Sequence, residues 1–206
     1  MESSSLWVFI PTFFFVSATP GMCMTLSLTL GMTIGVKRAM YMMVGELIGV
    51  ASVATAAIIG VATLLLNHPG LFLVLKTVGA LYLFYLGVQM WRSKGRLAIP
   101  EDLNQEMDVD FKSLASQGLI TAIANPKGWA FFIALLPPFI NSEAPLFSQS
   151  AMLISIILSF EFICLMMYAS GGQTLRKALL KRGNVVMMNR ISGSLMAGVA
   201  AWLALG

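Results

Sequence analysis

Charged residues are scarce in this chain: Lys, Arg, Asp and Glu make up 11% of its 206 residues, against 58% hydrophobic ones. Soluble domains carry about 25% charged residues, so no water-soluble domain is expected. Histidine occurs once, at His68, and cysteine twice, at Cys23 and Cys164. A lone histidine without Cys or acidic companions supplies no metal-ligand set, so neither a metal nor a cofactor is expected. Two cysteines, each inside an apolar run, give no disulfide framework. No Lys or Arg precedes Lys37, so the first apolar run lacks the basic start of a cleaved signal and reads as a retained span. The formal charge of +4 sits in short segments beside apolar runs, which points to membrane topology and away from nucleic acid.

What the chain has instead is long apolar runs. About 20 apolar residues cross the ~30 Å of a bilayer's hydrocarbon. Six such runs fit: Leu6 to Leu30, Ala39 to Leu66, Leu71 to Trp91, Phe111 to Ile140, Ser148 to Gly171, and a last one reaching the C-terminus. The expected fold is an all-α membrane protein of six transmembrane helices in contact with the lipid bilayer. Gly45 and Gly49, four residues apart in the second span, suit close helix approach. Asn67-His68-Pro69-Gly70 reads as a tight turn. Arg92 to Lys112 is the one extended polar stretch. The chain therefore reads as a single transmembrane domain, 1–206, with halves 1–91 and 111–206 joined by a loop over 92–110.

Counting cations by loop orients these spans, because cytoplasmic loops carry the excess of Lys and Arg. Lys37, Arg38, Arg92, Lys94, Arg96 and Lys112, and then the basic connection from Arg176 to Arg190, all fall on one side. The segments on the other side, Met1 to Ser5, Asn67 to Gly70 and Asn141 to Phe147, carry none. Both termini are thus expected outside, on the face opposite the basic loops. Lys76 and Lys127 stand apart, inside spans. Lys76 lies near an outer end and can snorkel, whereas Lys127 lies too deep for that.

Three spans per half make any resemblance between the halves an inverted repeat. Ala18-Thr19-Pro20-Gly21 matches Ala124-Asn125-Pro126, Glu46 matches Glu161, and Lys76-x-x-Gly79 matches Arg190-x-x-Gly193, all in the same order. Pro20 and Pro126 lack an N–H and clash with the carbonyl four residues back, so spans one and four are expected to be broken helices. Phe111 to Ile140 as one helix would measure ~45 Å, too long for a bilayer, which sets the break at depth. The helix restarting after each proline aims its first N–H groups at the gap, where an anion is favoured.

The Pro20-Gly21 break, the run Lys76-x-x-Gly79-x-x-Tyr82-Leu83-x-Tyr85-Leu86-Gly87, Asn125-Pro126-Lys127 and Arg190-x-x-Gly193 together resemble the LysE/RhtB family of amino-acid exporters, the L-lysine exporter and homoserine-threonine resistance type. The resemblance covers nearly the whole chain. It implies efflux of amino acids or close relatives across the bacterial inner membrane, driven by the proton gradient, by a homodimer that is not an enzyme. Where the family usually places a second proline after the Pro-Gly pair, this chain has Met22.

The candidate substrate-binding residues are Pro20, Gly21, Asn125, Pro126, Lys127 and Gly128. The candidates for proton coupling are Glu46 and Glu161, the only carboxylates within spans, where burial costs at least ~2.5 kcal/mol. Each reads either as a proton carrier or as a neutral side chain hydrogen-bonded to a neighbouring helix. Lys127 reads as a partner for these acids, a ligand for a substrate carboxylate, or a cap on a broken helix. Tyr82 and Tyr85 line a pathway or anchor the interface. The alternatives to an exporter working by proton antiport and alternating access are a membrane thiol-electron carrier, using Cys23 and Cys164, and a cation or metal exporter on the same scaffold.

Overall fold

The computed structural model describes residues 3–93, 110–136, 139–140, 144–180 and 182–205, with Lys76 among the helical residues whose side chains are not described. The expected loop over 92–110 therefore lies almost wholly outside the described residues, as do Pro137, Pro138 and both terminal residues. Eight helices make up the described chain: α1 (Ser3–Ala18), α2 (Met22–Thr33), α3 (Val36–Asn67), α4 (Pro69–Arg92), α5 (Phe111–Ile123), α6 (Pro126–Leu135), α7 (Leu146–Leu180) and α8 (Arg182–Leu205).

Local chemistry sets the joints. α1 ends before Pro20, which cannot donate to the helix, and α2 resumes after an extended Gly21 (φ −142, ψ −173). The two arms are bent by 53°. α5 starts on Asp110, whose side chain accepts from the Lys112 N–H, and stops at Ala124. α6 restarts with Pro126 at its first position, capped by Asn125, where a missing N–H costs nothing. Between α3 and α4 only His68 is non-helical. The expected four-residue turn is thus a one-residue joint, because Pro69 also opens a helix. The described residues of the basic connection after span five are likewise helical. α7 runs on to Leu180, past Gly172 with φ 47 and ψ −139, a conformation that only glycine adopts cheaply, and α8 already contains Arg190.

Among the described residues, Val36–Thr63 of α3 and Leu146–Gly172 of α7 are each long and apolar enough to cross a bilayer, and the bent pair α1 and α2 makes a third if its arms form one span. Over its described residues the molecule is an all-helical membrane protein with two or three elements of that length and apolarity. α5 and α6 are individually short, about 20 and 15 Å.

Three close helix contacts position the site, each at a spot where only hydrogen fits on the Cα. α3 meets α5 where a Cβ on Gly45 would stand 1.7 Å from the Ala115 carbonyl oxygen and one on Gly118 2.0 Å from that of Met42. α2 meets α7 at Gly31, where a Cβ would stand 2.2 Å from the Ala169 oxygen. α4 meets α8 at Gly87 and Gly193, with corresponding distances of 2.7 and 2.5 Å to each other's carbonyl oxygens. Such small-residue seams replace the hydrophobic drive that lipid does not supply. The first seam holds α5 and α6 against α3, which carries Glu46. The second holds α2 against α7, which carries Glu161. The outer face of α4 exposes Leu73, Val74, Leu81, Tyr82, Phe84 and Tyr85, an apolar surface suited to lipid. Tyr82 and Tyr85 accordingly belong to that face.

Candidate functional site

The two interruptions, at 19–21 and at 124–125, lie against each other. Lys127, in the first turn of α6, reaches across so that its Nζ donates to the carbonyl oxygens of Val16 (2.6 Å) and Thr19 (3.2 Å). Val16 is the residue whose carbonyl Pro20 cannot satisfy. Lys127 therefore closes the C-terminal end of the other broken helix, where its charge also opposes the helix dipole. Of its expected roles, capping is the one these contacts display, with the cap set on α1. Gly21 sits beside it; a Cβ there would lie 3.8 Å from the Lys127 Nζ, an ordinary contact.

The remaining carbonyls of the first break are met from further helices. Tyr168 of α7 donates its hydroxyl to Ala18 O at 2.8 Å. Thr19 Oγ1 donates to Phe15 O at 2.7 Å, and the one proton of the Ser192 hydroxyl of α8 is shared between Thr19 Oγ1 and Phe15 O, the latter at 3.1 Å. In hydrocarbon each unmet backbone group costs several kcal/mol, so these side chains are part of what permits the break.

The second break is closed from within. Asn125 Oδ1 accepts from the Lys127 N–H at 3.1 Å, and Trp129 Nε1 donates to Ile123 O at 2.8 Å. The Lys127 N–H, expected to face the gap, is thus already used by its own cap. α2 differs: Gly21 offers its N-terminus no side-chain cap.

A cavity of about 50 Å³ lies between the breaks, with Ser17, Asn125, Lys127, Gly128 and Glu161 on its polar side and Phe13, Phe131 and Phe132 among its apolar walls. Glu161 stands beside Ser17 and within charge reach of Lys127. Glu46 is fully buried and lies against Glu161 and Cys23, yet neither of its oxygens has a hydrogen-bond partner of ordinary geometry among the described residues. Asn125 Nδ2 points to Cys23 Sγ at 3.7 Å. Glu46, Glu161, Gly21, Asn125, Lys127 and Gly128 thus gather around one point. Pro126 is exposed at the start of α6, and Pro20 lines a neighbouring cavity instead.

Ser17, Thr19, Tyr168 and Ser192 were not anticipated from the sequence. Tyr168 had a signal, since it follows Glu161 by seven residues, two helical turns along the same face. The serines had none. Both cysteines are free and buried, and no cluster of three or more His, Cys, Asp or Glu among the described residues is arranged to hold a metal.

Comparison with known proteins gives relatives over nearly the full length. A leucine efflux protein of Salmonella choleraesuis (strain SC-B67) is 29% identical over 96% of this chain and 93% of its own. An uncharacterized membrane protein of Vibrio cholerae is 25% identical over 91% and 90%, and one of Pseudomonas aeruginosa 32% over 75% and 73%. No solved structure matches. The profile of the LysE type translocators matches residues 14–206; the protein is a translocator and not an enzyme, and it belongs to the LysE family.

Proposed function

We propose that this protein exports amino acids with apolar side chains, such as leucine, across the bacterial inner membrane by alternating access coupled to proton antiport. The observation that carries the reading is the meeting of two interrupted helices around a cavity with a buried acid pair behind it. Glu46 and Glu161 come from different helices and face each other, while Lys127 links α6 to the end of α1. Relatives named leucine efflux proteins support the substrate class, and the Phe13, Phe131 and Phe132 walls suit a branched apolar side chain.

In this reading the chain forms six spans in one domain, with α1–α2, α3 and α4 as one three-span unit and α5–α6, α7 and α8 as its inverted copy. Both termini face the periplasm. The substrate's carboxylate docks at the uncapped start of α2 near Pro20 and Gly21, with Asn125, Lys127 and Gly128 opposite and Pro126 opening α6. Its ammonium faces Glu161 and Glu46. A proton taken up by the acid pair from the periplasmic side releases the ammonium, and the pair gives the proton up inside. The cavity of about 50 Å³ is well below the ~300 Å³ at which small-molecule sites begin, so it must widen to accept its cargo. A homodimer is part of the reading; the apolar face of α4 then meets lipid or the second copy.

The test is leucine uptake into inverted vesicles, whose lumen corresponds to the periplasm. An acid lumen should accelerate uptake, and Glu161→Gln should abolish that acceleration while leaving leucine counterflow in place. If Glu161→Gln and Glu46→Gln both keep the full response to the pH gradient, the coupling scheme fails. Should wild-type vesicles take up no amino acid at all, the substrate class fails with it.

A further inference from the structure

A second cavity adjoins the first, and Lys127 lines both. It measures about 340 Å³, within the ~300–1,000 Å³ range of small-molecule sites. Its inner wall is the break itself, with Thr19, Pro20 and Lys127; its outer walls include Gln89 from the last turn of α4 and Asn189 from α8. These ends of α4 and α8 adjoin the basic segments that mark the cytoplasmic side.

The wall formed by α4 and α8 is firmly joined. Gly87 and Gly193 are in backbone contact, Trp91 Nε1 donates to Ser194 Oγ at 3.0 Å, and Arg190 lies over the Trp91 ring at 5.0 Å. Asn189 Nδ2 donates to Ser93 Oγ at 3.0 Å, and Gln89 Nε2 donates to the Tyr85 hydroxyl. These bonds engage the amide nitrogens, and the carbonyl oxygens of Gln89 and Asn189, acceptors by chemistry, have no partner among the described residues. Lys127 stands between the two cavities, its ammonium on the carbonyls of Val16, which lines the first, and of Thr19, which lines the second.

We infer that the larger cavity is a cytoplasmic waiting site for a zwitterionic amino acid, and that the contact between Lys127 and the Val16 and Thr19 carbonyls is the door the substrate opens. The inference rests on the exporter reading above and deepens it. A free amino acid carries the two groups that the contact already pairs. Its carboxylate is a stronger acceptor for the Lys127 ammonium than a carbonyl is. Its ammonium replaces Lys127 as donor to the freed carbonyls, with Gln89 and Asn189 assisting, so no backbone group is left bare in the membrane. A ligand with only one of the charges breaks the contact without mending it. Insertion of the zwitterion therefore uncouples α6 from the end of α1, the joint that must yield for the central cavity to widen.

The experiment is substrate protection. Gln89→Cys, in inverted vesicles, is exposed to a charged, membrane-impermeant thiol reagent; wild-type protein, whose two cysteines are buried, gives the background. Leucine should slow modification of Cys at this position, whereas leucinamide, without the carboxylate, and 4-methylpentanoate, without the ammonium, should not. Asn189→Leu should raise the KM for uptake from the cytoplasmic face about tenfold with kcat unchanged. Equal protection by leucine and by both analogues would overturn the zwitterion exchange, and no protection by leucine in vesicles that transport it would overturn the waiting site. Absence of uptake of any amino acid by wild-type vesicles would instead remove the exporter reading itself, so the two failures are distinct.

Discussion

At the break between α1 and α2 the exposed carbonyls are met by side chains from three other helices: Lys127 of α6, Tyr168 of α7 and Ser192 of α8. At the break between α5 and α6 the backbone groups are met locally, the Lys127 N–H by Asn125 and the Ile123 carbonyl by Trp129, and only the Asn125 amide reaches out, to Cys23 Sγ. Local closure makes α5 and α6 a frame that keeps its shape whatever its neighbours do. Remote closure makes the first break depend on where α6, α7 and α8 stand. In the proposed alternating access, which needs one part that holds and one that yields, the first break is the part assigned to yield.

Removing Lys127 should have the largest effect. Lys127→Ala leaves Thr19 O without its donor and Val16 O with only the longer bond from the Thr19 N–H at 3.3 Å. In an apolar setting this costs about 3 kcal/mol, read as a fall in the thermal midpoint in detergent, while Lys127→Arg keeps most of the stability. A Lys127→Ala protein as stable as the wild type would mean that the first break does not lean on α6.

How much of this was legible in the sequence differs between the breaks for the same physical reason. Asn125-Pro126 announces a capped restart because a cap and an N1 proline are local signals, and the structure has both. Pro20 announces an interruption, but nothing near it names what will meet the carbonyls. Lys127 was legible as a buried cation and not as the cap of α1, since a lysine reaches several acceptors and only packing selects among them. Tyr168 was recoverable from its spacing after Glu161. Gly45 and Gly49 were legible as a close-contact face, whereas their partners Ala115, Leu119 and Ala122 emerge only once α5 is docked.

Asn125→Ala probes the other side of the comparison and should cost less, about 1 kcal/mol, the usual loss on removing a cap. Asn125→Asp, which retains an acceptor for the Lys127 N–H, should recover it. The measurement is the same thermal midpoint. Combined with Lys127→Ala, the departure from additivity measures how strongly the cap within α6 and the cap on α1 are coupled, since the two residues are in contact. A loss as large as that of Lys127→Ala would show that the second break also depends on remote contacts, through Asn125 Nδ2 and Cys23.

Ser192→Ala should have the smallest effect, and the reason lies in how donors are distributed along the first break. Phe15 O, which Ser192 serves, also accepts from the Thr19 N–H at 3.1 Å and from the Thr19 hydroxyl at 2.7 Å. Losing Ser192 leaves that carbonyl satisfied, and Thr19 Oγ1 keeps its bond to Phe15, so less than about 0.5 kcal/mol should be lost. The Thr19 O of the same break has no second donor among the described residues, so one turn of backbone should respond unequally to the removal of its partners. If Ser192→Ala matched Lys127→Ala in stability and in transport, α8 rather than α6 would be the element that holds the first break shut, and the moving joint would have to be sought between α1 and α8.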